Sequence, residues 1–315
     1  MSAPLPARPA VEPISNARVW LVVLLISLGW GTLPVVIRVA LREGVGPLGV
    51  AAATSILAAL ALALFLSAVR RGLTVGRMEI RMGLVLAVLS VVLPNLFRPL
   101  ALEHASAGFL GLASALVPVV TVVIAHFVLA DERLKAVTVG GLLLGLTGVA
   151  ILVASGESGL GPEGNAVLAG LFAMGSVLSV SASSVFAKRF AGQYSVMGVS
   201  GVQFVVGSVI VAVIALVWEG VPENPGLLAW GSLVYLGIVS TFMPVVLYYW
   251  LLRHVTVTYS TIIGYIIPLI SVVLGWLLLD ERVGLGILVG GALILSGVVV
   301  NDLIRIRAVR RAAAG

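Results

Sequence analysis

The sequence predicts an all-α integral membrane fold, with ten transmembrane helices arranged as two inverted five-helix repeats. Three observations predict it. Hydrophobic residues make up 60% of the 315-residue chain and charged residues only 10%, with a mean hydropathy of +1.19. Apolar runs of roughly 20 residues follow one another with hardly a break, the length that crosses a hydrocarbon core of about 30 Å. The second half also repeats the first at an offset of 150: Pro94, His104 and Pro118 return as Pro244, His254 and Pro268. Backbone polar groups cannot be left bare in lipid, and barrel strands would show short alternating segments, so long apolar runs mean helices.

Taken in order, residues 1–18 hold Pro4, Pro6, Pro9 and Pro13 with little apolar content and read as a disordered tail. The first span, about 19–41, lacks a small-residue cleavage site after it and reads as a retained helix, with Trp30-Gly31 and Pro34 near its middle. The second, about 47–69, is apolar throughout, and the third, about 82–102, carries Pro94, Asn95 and Arg98. The fourth, about 107–129, holds Pro118, and the fifth, about 136–155, opens on Gly140-Gly141. The longest link, 156–165, separates the repeats, 19–155 and 166–303. Spans six to ten follow at about 166–187, 196–218, 227–252, 257–279 and 284–303, before a basic tail at 304–315. Five is odd, so the second copy enters the bilayer upside down, an architecture of secondary transporters.

Sidedness is read from Lys and Arg. With the N-terminus inside, 15 of the 19 basic residues fall on the inner side. The outer side keeps only Arg38, Arg42, Arg98 and Arg282, and its links carry Glu157, Glu163, Glu219 and Glu223. This bias predicts both termini in the cytoplasm. It also accounts for the net charge of +6 without nucleic acid, because the charges sit in short links. Cysteine is absent, which excludes disulfides, thiolate metal sites and a cysteine nucleophile. No phosphate-cradling loop and no zinc-protease His pair occurs, so no enzyme and no cofactor is expected.

Each repeat closes on a matching segment, PVVTVVIAHFVLADER from Pro118 and PLISVVLGWLLLDER from Pro268, and each segment leads into a Gly-Gly helix at Gly140-Gly141 and Gly290-Gly291. With the Trp30-Gly31 step, these residues resemble the EamA-type ten-helix transporters of the drug/metabolite transporter superfamily. The likeness runs from Trp20 to Asp302, and within the family the chain looks most like bacterial aromatic amino-acid exporters. The resemblance implies export of amino acids, other metabolites or drugs across the bacterial inner membrane. One departure is that Val180-Ser181 stands where the repeat would place a second Trp-Gly step.

Candidate substrate contacts follow from polar and proline residues at mid-membrane depth. A proline removes a donor and frees the carbonyl four residues before it, and in lipid that carbonyl must face protein or a water-filled cavity. Pro34, Pro94, Pro118, Pro244 and Pro268 lie at similar depth, which predicts a shared cavity; each alone is equally well a packing kink. Ser240, Pro244 and Tyr248 share one stripe of the eighth helix beside Thr241, and Thr261, Tyr265 and Pro268 share one on the ninth. Trp30, Thr32, Asn95, Ser179, Ser183 and Gln203 lie at the same depth. Interhelical hydrogen bonding is the plainer alternative for each polar group. Arg98 either snorkels to headgroups or meets a substrate carboxylate.

Asp131-Glu132-Arg133 and Asp280-Glu281-Arg282 are expected to cap helix ends through their aspartates. Every acidic residue falls in a tail, link or helix end, and a proton-driven carrier generally needs an intramembrane relay. The expectation is therefore an alternating-access facilitator or exchanger for aromatic or neutral amino acids. A proton-driven exporter of cationic or hydrophobic drugs is the rival, and a channel or scaffold the rival of another class. Its partners are a small-molecule substrate and the lipid bilayer; monomer and homodimer stay open.

Overall fold

The computed structural model describes residues 16–68, 75–129, 136–156, 158–160, 164–221, 225–254 and 257–314. Those residues contain helices and no strands. Helix α1 (Asn16–Arg42) and α2 (Pro47–Ala68) make the first two crossings. The third is α3 (Arg77–Leu86), a π-helical turn (Ala87–Val92) and α4 (Leu93–His104). The fourth is broken into α5 (Ala107–Ser114) and α6 (Val117–Val128), and α7 (Ala136–Ala154) is the fifth. The second repeat runs α8 (Ala166–Arg189), α9 (Val196–Trp218), α10 (Leu227–Gly237), a π turn (Ile238–Phe242), α11 (Met243–His254), α12 (Val257–Leu279) and α13 (Leu285–Ala314).

Seven helical runs are long and apolar enough to cross a membrane, and 139–154, 263–279 and 285–300 supply three shorter apolar helices. Large apolar side chains cover the outside, among them Leu64, Phe127, Trp218 and Leu285. In water such a surface would aggregate; in lipid it is the ordinary exterior. Short links reverse the chain at each end. Calling the face where α1 starts the near face and the one where it ends the far face, α1 begins near while α8, its counterpart, begins far.

The repeat is visible in the backbone. In both third-position crossings the π turn precedes a proline. The Leu93 N–H bonds the Val88 carbonyl and the Met243 N–H the Ile238 carbonyl, each five residues back. Pro94 and Pro244 come next, and the wider turn relieves the clash between each ring and the carbonyl four residues before it. The fourth-position crossings differ. Before Pro118 the helix breaks between Ser114 and Val117, whereas Pro268 sits inside an unbroken α12.

Small residues set the closest contacts. α7 and α13 pack backbone on backbone: a Cβ on Gly148 would lie 2.5 Å from the Gly290 carbonyl oxygen. α1 threads a similar gap, because a Cβ on Gly29 would meet Pro244 at 2.5 Å and one on Gly31 would meet Ile270 at 2.8 Å. Gly31 thus serves close approach between α1 and α12. Ser271 Oγ reinforces that contact by donating to the Gly31 carbonyl at 2.8 Å.

Capping follows side-chain chemistry at several starts. Asn165 accepts from the Val167 and Leu168 amides at 3.1 Å each, and Ser195 accepts from Gly198 at 3.3 Å. Asp131, Glu132 and Arg133 lie outside the described residues. In the second copy the cap is made by Glu281, not Asp280, and on a helix of the other repeat. Both Glu281 carboxylate oxygens accept from the Ala107 N–H at 2.9 Å, at the start of α5. Asp280 itself takes a left-handed backbone conformation, φ 53°.

Candidate functional site

The far half of the molecule holds a narrow cleft between α1, α2, α4 and α10. Leu33, Ile37 and Leu236 form apolar walls, and Thr54, Asn95 and Arg98 supply the polar groups. The space is tight, with room for about one water. Arg98 is half-buried, and among the described residues neither a hydrogen bond nor a carboxylate reaches its guanidinium. Thr54 is 5% exposed, yet its hydroxyl has no partner. Other hydroxyls on these helices bond a carbonyl one turn back, as Ser55 does with Ala51 and Ser232 with Leu228, both at 2.8 Å. Asn95 Nδ2 donates to Ser55 Oγ at 2.9 Å, which ties α4 to α2 beside the cleft.

Toward the near face the chemistry turns aromatic. Trp30 and Tyr248 pack with ring centroids 5.5 Å apart, tilted by 53°. Leu247, Ile266 and Ile267 pack around them on a core of Val23, Ile26, Leu251 and Ile263. Thr32 Oγ1 lies 2.7 Å from the Leu28 carbonyl and 3.0 Å from Tyr235 Oη. Ser240, in the π turn, is 0% exposed and its hydroxyl has no partner. Trp30, Leu33 and Ile37 share one stripe of α1 at i, i+3 and i+7, which joins the aromatic pair to the cationic cleft.

The remaining sequence-derived candidates scatter. Pro34 is buried in α1, Pro94 heads α4, Pro118 is half-buried at the start of α6, Pro244 lies against Gly29, and Pro268 is buried in α12. Ser179 is buried and donates to its own helix at the Ser176 carbonyl, 2.9 Å away. Gln203 Oε1 lies 3.5 Å from Ser90 Oγ. Tyr265 packs against the main core, and Thr241 is half-buried. The Thr261 side chain lies outside the described residues. The cleft gathers Asn95 and Arg98, the aromatic cluster gathers Trp30 and Tyr248, and Ser179 and Gln203 bond elsewhere.

At the far face, side chains of Arg38, Arg42 and Glu219 bond the backbone of other helices. Arg38 Nη1 donates to the Leu102 carbonyl at 2.7 Å, and Arg42 Nη2 donates to the Leu279 carbonyl at 2.6 Å. Glu219 accepts from the Leu48 and Gly49 amides at 2.9 and 2.8 Å, capping α2 from the other repeat. Burial pushes the Glu281 carboxyl above the usual carboxylate range, against the Ala107 and Gly108 amides and the Arg38 and Arg42 charges that favour its ionised form. These bonds join distant segments, so no local sequence pattern announces them. Among the described residues no cluster of His, Cys, Asp or Glu is placed to hold a metal.

A model of the EamA-like transporter family matches residues 18–154 and 167–301, one match per repeat. The uncharacterized transporter YoaV of Bacillus subtilis is 23% identical over 286 residues, covering 90% of this chain and 96% of its own length. An uncharacterized transporter of Archaeoglobus fulgidus is 24% identical over 284 residues, covering 89% and 96%. A protein solved by crystallography superposes with a TM-score of 0.63 at 24% identity, over 93% of this chain and 99% of that one. That last likeness concerns the fold.

Proposed function

We propose, from the premise that this chain belongs to the EamA-like transporter family, that it exports aromatic or neutral amino acids across a bacterial inner membrane. The observation that carries the reading is the stripe on α1. The Trp30–Tyr248 pair and the Arg98 cleft lie one to two helical turns apart along it, about 5–10 Å at 1.5 Å per residue. One aromatic amino acid spans that distance, with its ring among aromatic faces and its polar end among Asn95, Arg98 and a freed carbonyl. Pro99 cannot donate to the Asn95 carbonyl, which leaves an acceptor suited to an amine. A site of this kind is mostly apolar with a few placed polar groups.

Transport proceeds by alternating access. The two repeats rock about the midplane, and the far-face bonds of Arg38, Arg42 and Glu281 open as the path turns outward. The basic links place both termini, and hence the near face, in the cytoplasm. By the spans read from the sequence, no acidic residue lies at mid-membrane, so exchange or facilitated flux needs no proton relay through the middle. Thr32, Pro34, Pro94, Pro118, Ser179, Gln203, Thr241, Pro244, Tyr265 and Pro268 belong to the path as wall or hinge groups.

Counterflow in proteoliposomes at equal pH tests this. Unlabelled internal phenylalanine is expected to drive transient accumulation of labelled tryptophan and phenylalanine. Accumulation no greater than in empty liposomes would remove the amino-acid reading, and uptake of cationic drugs under a pH gradient would then favour the drug-exporter reading.

A further inference from the structure

We infer that the cleft between α1, α2, α4 and α10 is a carboxylate-binding subsite, in which Arg98 pairs with the anion and Thr54 donates its hydroxyl to it. The inference rests on the transporter reading and deepens it: the transported class is defined by a carboxylate group.

Three observations converge. Arg98 stands six residues before the end of α4 at His104, inside the span, where a charge without a partner is costly and marks function. Its surroundings offer no compensation among the described residues, because the walls are Leu33, Ile37 and Leu236 and no acid acts on it. Thr54, nearly inaccessible, holds an unbonded hydroxyl against the same space, although Ser55 beside it bonds its own helix. Buried hydroxyls are bonded as a rule, so an unbonded one lining the same cleft as an unpaired cation suits a ligand that accepts from both. A carboxylate meets both needs: it accepts two parallel bonds from a guanidinium and retains lone pairs for a hydroxyl.

Arg98 and Thr54 have no chemical equals in the second repeat. The offset of 150 places Tyr248 opposite Arg98 and Phe204 opposite Thr54. The anion subsite therefore occurs once, and substrate enters the molecule with a defined polarity. In its present width the cleft is too narrow for a carboxylate with its α-carbon, so binding accompanies separation of α2 from α4. The Asn95–Ser55 bond, which bridges those helices, is the contact that this movement breaks.

The test is inhibition of phenylalanine counterflow by three analogues, with binding followed in parallel by thermal shift of the full-length protein in detergent. Phenylalaninamide keeps the amine and lacks the carboxylate; hydrocinnamate keeps the carboxylate and lacks the amine; phenethylamine lacks the carboxylate altogether. Hydrocinnamate is expected to compete, and the other two to compete at least tenfold less well. Arg98→Gln is expected to abolish that preference, Arg98→Lys to keep part of it, and Thr54→Val to weaken carboxylate binding several-fold while amide binding stays unchanged. Equal competition by acid and amide in the unaltered protein would overturn the subsite, as would an unchanged preference in Arg98→Gln. If no amino acid is transported but hydrocinnamate stabilises the protein in an Arg98-dependent way, the subsite stands and the amino-acid reading falls. If no carboxylate in the panel binds or moves, the subsite falls. Should Arg98→Gln fail to fold, Thr54→Val decides by the same acid-to-amide ratio.

Discussion

The third crossing of each repeat has one backbone and two chemistries. Both carry a π turn with a proline two residues beyond its end, Pro94 in one and Pro244 in the other. Four residues on, the first places Arg98 and the second Tyr248. Inversion sends Arg98 to the far half and Tyr248 to the near half. The far half is therefore a cleft with a cation and an unbonded hydroxyl, and the near half a packed aromatic pair. The π turns differ in detail too: Ser90 bonds the Leu86 carbonyl, while its counterpart Ser240 bonds nothing. The lesson is that duplication preserved what the bilayer demands of the backbone and released the side chains to diverge. A symmetric scaffold carries an asymmetric path.

Breaking the asymmetry at its centre should have the largest effect. Arg98→Tyr makes the first repeat copy the second, and carboxylate transport should fall ~10–100-fold, the worth of a charge-assisted hydrogen bond, with expression retained. Counterflow normalised to purified protein measures it. Normal rates would dissolve the comparison.

The aromatic side is next. Trp30→Ala and Tyr248→Ala should each reduce the transport rate about fivefold beyond any loss of expression, the scale of one aromatic pair. The double variant should cost little more than either single one, because both remove the same contact. Additive losses would mean that the two rings act separately.

A smaller effect concerns the far-face closure. Glu281 is buried and its folded pKa is raised, so ionising it costs more in the folded protein than in the unfolded chain. Its contribution is therefore fully present below the ordinary carboxylate pKa and is lost as pH rises through the raised value. Melting in detergent should show that decline in the unaltered protein, and Glu281→Gln should flatten it. A stability that instead rises over that window would place the net effect with the Ala107 and Gly108 amides.

The two serines give the finest test. Ser90→Ala should destabilise by roughly 0.5–1.5 kcal/mol, since it removes a formed bond, whereas Ser240→Ala should be neutral or slightly stabilising. Equal losses in denaturant titrations would mean that the Ser240 hydroxyl has a partner in the membrane.

Much of this was legible in the chain. Span positions came from apolar run length, because lipid leaves the backbone no alternative to a helix, and α2, α9 and α12 begin where their runs begin. The prolines announced distortions at the third and fourth crossings. Their form was not legible: Pro118 breaks its helix and Pro268 does not, because neighbouring contacts decide how a missing bond is absorbed. Asn95, Arg98, Trp30 and Tyr248 stood out as polar or aromatic residues at depth. Thr54 did not, because a threonine in an apolar helix normally bonds its own backbone, and only the surrounding space shows that this one does not.

By itself, then, the sequence determined the class, the crossings, the duplication and its inversion, since each depends on composition and chain order alone. Tertiary structure alone decided which groups come together: Glu281 bonds α5, Arg38 bonds the end of α4, and Arg98 and Thr54 line one cleft that holds no acid among the described residues. The physical reason is range. Burial in lipid acts on every residue through its own polarity and can be read locally. Hydrogen bonds and charge pairs act over about 3–4 Å between segments far apart in the chain, and their partners exist only once the helices have packed.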